Sequence, residues 1–237
     1  MKTTVKTIVI ILFTVSTAFG QKVEEQSYQA YLRANPDAWL IPVKTAKMQF
    51  ESGGSDADLF EYAMARYGLL SATMRDRDED MFDEYVDETI EHFEKLIEND
   101  HRKAESQAVL SSIYGLKIAY TPWKGMFWGP KSGKYIEEAI ESGRELPIVL
   151  KMYGNYLYYT PEQWGGDKNE AVGYYSMAIN KFEENRKTGH WLYLDAMIWL
   201  GHAYRDIDQN MQAESVWRQA LKKEPDFKYA EYLLSSN

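Results

Sequence analysis

Four apolar stripes with the period of an α-helix each carry a glycine, and this recurrence points the chain toward a stack of similar helix pairs. The glycines are Gly68, Gly115, Gly154 and Gly201, separated by 47, 39 and 47 residues. Inside a helix each costs roughly 1 kcal/mol against alanine, so a shared demand must offset that cost. The simplest demand is close approach of a neighbouring helix, which a Cβ would obstruct. Repeats at such a period make units that cannot bury their apolar face alone and therefore stack.

The helices themselves follow from period and punctuation. Ser55 and Asp58 have capping-box spacing and open a stripe through Leu59, Phe60, Ala63, Met64, Tyr67 and Leu70. The charged stretch 75–80 reads as a turn, and Met81, Phe82, Tyr85, Val86, Ile90, Phe93 and Leu96 form the next stripe. Further helices are expected over 104–120, about 134–141, 145–159, about 169–184, 191–204 and 211–223, with 227–234 covering the open end of the stack. Thr121-Pro122 and Thr160-Pro161 stop two of them, because proline lacks the amide donor and pushes the preceding residue out of the helical region. Pro36 and Pro42 leave 21–55 as an N-terminal extension with one or two short helices.

Before that extension stands a targeting segment over 1–20. Lys2 and Lys6 precede the apolar run Ile8 to Phe13, and Ala18 and Gly20 are the small residues of a cleavage site before Gln21. The run is short for a bilayer, which needs about 20 residues, and an uncleaved N-terminal anchor is the competing reading. The expectation is an exported chain of a bacterial periplasm or another extracytoplasmic compartment, without a stable membrane span after cleavage. Loss of the segment would move the net charge from -9 to about -11. That acidity, with no large basic block, argues against nucleic acid or an anionic membrane surface as partner. Cysteine is absent, so the core must come from apolar packing, with 18 Tyr and 7 Trp to supply it.

The final repeat resembles the tetratricopeptide repeat family through Leu200, Gly201, Tyr204, Ala213, Trp217, Ala220 and Pro225. Weaker copies run through Gly154, Leu157, Ala171, Tyr175 and Ala178, through Gly115, Ile118, Ile136 and Ala139, and through Gly68, Thr89, Phe93 and Leu96. The resemblance implies an all-α fold over 56–237, a right-handed superhelix of four degenerate antiparallel pairs with a C-terminal cap. The links 122–130 and 161–168 are also similar to those of exported helical-repeat proteins like the T-component associated with TRAP-type solute transporters. That likeness implies assistance in capturing a small organic or apolar ligand.

No catalytic pattern accompanies the repeats. His92, His101, His190 and His202 include no i,i+4 pair for a helical zinc site. His92 and His101 read as solvated, and His190 and His202 as structural hydrogen-bonding groups. Asp76, Asp78, Glu79 and Asp80 lack the glycine and final glutamate of a calcium loop. Gly129-Pro130-Lys131-Ser132 lacks the order and the preceding strand of a phosphate loop; Ser132, Gly133 and Lys134 read as a helix start. No catalytic residue, metal ligand or cofactor is expected.

Aromatic density in the two long links is the more informative feature. Trp123, Phe127 and Trp128 fall in one, and Tyr158, Tyr159 and Trp164 around the other. Repeat arrays collect such insertions on one side, often the side that binds. Trp128, Tyr158 and Trp164 are therefore expected to face one cavity or groove, with Lys131, Asp167 and Arg205 as polar neighbours. The competing reading is that the rings fill gaps left by widened helix pairs. The leading functional expectation is non-catalytic capture of a small organic or apolar ligand, with assistance to a transport component as its extension. The alternative is a protein-protein scaffold for an envelope protein or peptide, and an envelope-associated enzyme comes third.

Overall fold

The structure is a computed structural model that describes residues 22–236, so the targeting segment expected over 1–20 lies outside the described residues. Those residues are helical and contain no strand. Helix α1 covers 22–33, followed by α2 (Pro36–Gly53), α3 (Asp56–Thr73), α4 (Glu79–Glu98) and α5 (Lys103–Tyr120). A 3-10 turn at Pro122–Lys124 leads into α6 (Gly125–Gly143) and α7 (Pro147–Tyr159). A second 3-10 turn at Glu162–Trp164 precedes α8 (Lys168–Glu184), and α9 (Trp191–Asp206), α10 (Asn210–Lys223) and α11 (Lys228–Ser235) complete the chain. Helices α5 and α6, α7 and α8, and α9 and α10 pack as antiparallel pairs, while α3 lies against both α2 and α4.

Three of the recurrent glycines meet a ring. A Cβ at Gly201 would lie 2.1 Å from Trp217 Nε1, one at Gly154 would lie 2.8 Å from Tyr175, and one at Gly68 would lie 2.0 Å from Trp39. Close approach is thus the reason at these positions, although the ring over Gly68 comes from the preceding helix α2. Gly115 is different: nothing stands within 4 Å of its added Cβ.

Two segments are more helical than their glycines and prolines suggest. Short helices are expected over 21–55, yet α2 alone runs for 18 residues. Pro36 sits in its first turn, where a missing amide donor costs nothing, and Asn35 caps it by accepting from the Asp37 amide at 3.0 Å. Pro42 lies inside the helix, where burial of Trp39, Val43 and Ala46 offsets the lost bond. Likewise the helix expected near 134–141 starts at Gly125, so most of the expected link 122–130 is the first part of α6. Ser132 is therefore no helix start: it is buried in mid-helix, donating to the Ser111 carbonyl at 3.0 Å and meeting the Ser111 hydroxyl at 2.9 Å.

Helix α1 does not extend from the stack but closes it. Its Tyr28 hydroxyl donates to Glu224 at 2.5 Å, and Tyr31 donates to Asp195 at 3.0 Å. Tyr31 also lies 5.5 Å from both Trp191 and Phe227. Trp191 of α9 is the common neighbour, with Trp39 of α2 at 5.1 Å and Tyr67 of α3 at 5.9 Å. The first and last thirds of the chain thus share one aromatic core. Beside it the buried Lys151 ammonium pairs with Asp195, so the Tyr31 hydroxyl caps an ion pair that joins α7 to α9.

Candidate functional site

With α1 seated among α3, α9 and α11, the inner face of the stack is filled by the chain's own side chains, and binding groups must be sought outside. The C-terminal ends of α3, α5, α7 and α9 lie along one edge, because successive helices alternate in direction. Both 3-10 turns stand on that edge, each introduced by a Thr-Pro step and each carrying a tryptophan. Trp123 is 70% exposed and Trp164 73%, and Met126 and Phe127 beside Trp123 are 74% and 61% exposed. Large apolar side chains this open within one turn of each other are unusual for a surface with nothing to bind.

A cleft of about 440 Å³ opens beside the first turn, between α4, α5 and the start of α6. Its apolar lining is Phe82, Val86, Tyr120 and Trp128, and its charged lining includes Glu79, Asp83, Asp87, Lys117 and Lys124. Phe82 and Tyr120 lie 4.4 Å apart between ring centres. The Lys124 ammonium sits between two indoles, 5.2 Å from Trp123 and 5.1 Å from Trp128. Lys117 approaches Trp128 at 5.1 Å and pairs with Asp87 at 3.0 Å. Each cation thus rests on an aromatic face, an attraction of about 0.5–1 kcal/mol at an exposed site.

A second cleft, of about 360 Å³, lies beside the other turn and is lined by Tyr158, Tyr159, Pro161, Asp167 and Lys168 among others. Asp206 organises its wall by accepting from the Tyr158 hydroxyl at 2.9 Å and from Lys168 at 2.7 Å. Burial opposes ionisation of Asp206, yet the Lys168 and Tyr158 hydrogen bonds together hold its carboxyl below the ordinary value. The same burial, with Asp206 beside it, pushes the Tyr158 hydroxyl well above its ordinary value, so it remains a proton donor. Trp199 backs both tyrosines, 5.4 Å from Tyr158 and 5.1 Å from Tyr159.

The expected residues therefore divide. Tyr158 and Asp167 share the second cleft, Trp128 lines the first, and Trp164 stands exposed at the apex of its own turn. The three rings do not converge on one cavity, because α6 rather than a free link carries Trp128. Lys131 is exposed on α6 with its ammonium 5.6 Å from the Tyr114 ring, outside both cleft linings. Asp167 is also the N-cap of α8, accepting from the Asn169 and Glu170 amides at 2.8 and 3.0 Å. Arg205 is turned toward His202, 3.0 Å from its Nδ1, and lies over the Trp217 ring. Lys117, Lys124, Lys168 and Asp206 escaped the sequence reading. Lys124 and Lys168 fall in the two links already singled out, 122–130 and 161–168, whereas Lys117 and Asp206 belong to helices brought beside them by packing.

His190 and His202 make hydrogen bonds within the fold, and His92 departs from expectation. His190 caps α9 by accepting from the Leu192 amide at 3.2 Å, and His202 pairs with Tyr229 at 3.2 Å. His92, expected to be solvated, is instead largely covered by Phe50 and Tyr62. Burial first, then Arg66, pushes its pKa down to about 4. Among the described residues no group of three His, Cys, Asp or Glu side chains could hold a metal ion, and no helix is long and apolar enough to cross a membrane.

No protein-family model matches the sequence, and no curated protein matches it. Solved structures do match. The thermophilic TPR protein TTC0263 of Thermus thermophilus superposes with a TM-score of 0.60 at 14% identity, over 92% of this chain and 97% of that one. YrrB, described as a TPR protein with an unusual peptide-binding site, gives a TM-score of 0.45 at 15% identity over 92% and 98%. The first likeness establishes a TPR-like helical-repeat fold; at such identity it speaks of fold alone.

Proposed function

We propose that this chain is a non-catalytic scaffold that binds a polypeptide partner through the edge carrying its two tryptophan-tipped turns. One observation carries the reading: the two clefts are open surface features that mix aromatic rings with charged side chains, and exposed Trp123, Met126, Phe127 and Trp164 lie near them in the chain. A polypeptide is recognised by such a surface, with apolar anchors at the centre and a polar rim. Capture of a small organic or apolar ligand would favour an enclosed aromatic cavity, and the rings expected to form it stand apart, Trp128 in one cleft, Tyr158 in the other and Trp164 exposed on its turn. The TPR-like fold supports the scaffold reading as well. The secretory pattern over residues 1–20 supports a location outside the inner membrane of a bacterium.

Native mass spectrometry of the protein recovered gently from its own cells tests the proposal. The expected result is the chain together with a polypeptide of defined mass. Recovery with a stoichiometric small molecule and no polypeptide would overturn it and restore ligand capture.

A further inference from the structure

The cleft between α4 and α6 has a composition that selects among polypeptides. Glu79, Asp83 and Asp87 follow at i, i+4 and i+8, so they form one row along α4 above the apolar floor of Phe82 and Val86. Asp87 is held by Lys117, but Glu79 and Asp83 make no ion pair among the described residues. The outward residues Asp80, Glu84 and Glu91 extend the negative field beyond the cleft, while Glu88 is paired with Arg66 at 2.8 Å. Across the cleft from this row stand Lys124 and the Trp128 indole, the Lys124 ammonium lying between Trp128 and Trp123, and the exposed Trp123, Met126 and Phe127 belong to the same stretch of chain just outside the cleft. Arg77 lies over the Tyr120 ring, 5.4 Å from its centre, and donates to the Ala119 carbonyl at 3.2 Å.

We infer that this cleft docks a basic amphipathic segment of the partner. The segment's apolar side chains would cover Trp123, Met126 and Phe127, and its lysines or arginines would meet Glu79 and Asp83. The inference rests on the scaffold reading and narrows it to one surface and one chemistry. Charge complementarity decides the occupant: an acidic segment would bring like charges against the α4 row, whereas a basic one supplies the partners that two carboxylates lack. A lipid surface fits less well. Anionic headgroups would meet the acidic row.

A fluorescent amphipathic helix of leucine and lysine serves as probe, with a leucine-glutamate helix of the same pattern as its counterpart. The full chain is expected to bind the basic helix, more weakly as salt rises, and to ignore the acidic one. Asp83→Lys and the pair Trp123→Ala with Phe127→Ala should each weaken binding about tenfold or more. Glu137→Lys, an equal charge change at the far end of α6, should leave binding unaltered. All these positions are exposed, and circular dichroism verifies that each variant folds. Equal weakening by Asp83→Lys and Glu137→Lys would overturn the site in favour of diffuse attraction. Binding of phosphatidylcholine vesicles that needs Trp123 and Phe127, without helix binding, would overturn it in favour of a membrane. Photo-cross-linkers at positions 127 and 164 in the native cells separate this failure from that of the scaffold reading. A polypeptide adduct from exposed Trp164 but none from Phe127 overturns the cleft alone, and adducts from neither overturn both.

Discussion

A methyl group added at Gly201 would land on the Trp217 indole, whereas one added at Gly115 would meet nothing within 4 Å. The same substitution should therefore have opposite signs at the two sites. Gly115→Ala removes the entropic cost of an exposed helical glycine and should raise stability by up to about 1 kcal/mol. Gly201→Ala forces the ring aside in a filled core and should cost about 1–3 kcal/mol. Urea denaturation midpoints decide the matter; a shift in the same direction for both would refute this account of the glycines. Their recurrence was legible in the sequence and their reason was not, because whether a ring covers a glycine depends on the neighbouring helix. His190 gives a second residue-scale test. Burial, aided by Arg102 and Lys187, pushes its pKa down to about 3, against an unfolded value near 6.5. Its neutral form is therefore favoured by folding, and its contribution is complete above about pH 6.5 and drains as pH falls toward the folded value. His190→Asn keeps an acceptor for the Leu192 amide and removes the titration. Its stability should fall less steeply than that of the parent between about pH 6.5 and 4.5, and parallel curves would exclude His190 from the acid response.

At the scale of elements, apolar period located the helices of the repeats closely, while glycine and proline hid α2 and the start of α6. Those residues report intrinsic cost, and the offset comes from partners such as Trp39 and Ser132 that local sequence does not identify. The candidate site suffered accordingly. Tyr158 and Asp167 fall in one link and were legible as neighbours, but Trp128 moved to another cleft once α6 began early. The junction of α1, α7 and α9 was hidden more deeply, since Lys151 and Asp195 sit among apolar residues whose period reads simply as core. The Lys151–Asp195 pair is buried and receives the Tyr31 hydroxyl. Lys151→Met leaves a buried carboxylate without its cation and should cost about 3–5 kcal/mol. Replacing both, as Lys151→Met with Asp195→Leu, should recover much of that loss because no charge is then left buried alone. The four-member cycle of stabilities measures the coupling. Additive losses in the double variant would mean that the pair does not act as a unit.

An open repeat stack holds each unit only by its neighbours, so it can loosen from either end. This molecule is tied differently. Tyr28 and Glu224, 196 positions apart, share a hydrogen bond, and Tyr31 reaches Asp195 across 164 positions. Trp191 then gathers Tyr31, Trp39 and Tyr67 around α9, so the two ends of the stack brace each other. Closure has a functional consequence. It commits the inner face to the core and leaves the outer edge for recognition, which is where the exposed tryptophans stand. It also makes a prediction that an open stack does not share. Tyr31→Ala removes the ring between Trp191 and Phe227 and the hydroxyl on Asp195, weakening the seat of α1 without touching α5 or α6. Amide hydrogen exchange should then accelerate in α1 and also in the distant α9 and α11, while α5 and α6 keep their protection. If the stack were open, the disturbance would stop at α1 and α2. Faster exchange confined to those two helices would refute closure; faster exchange that skips the middle of the chain and appears at its far end requires the ends to be joined.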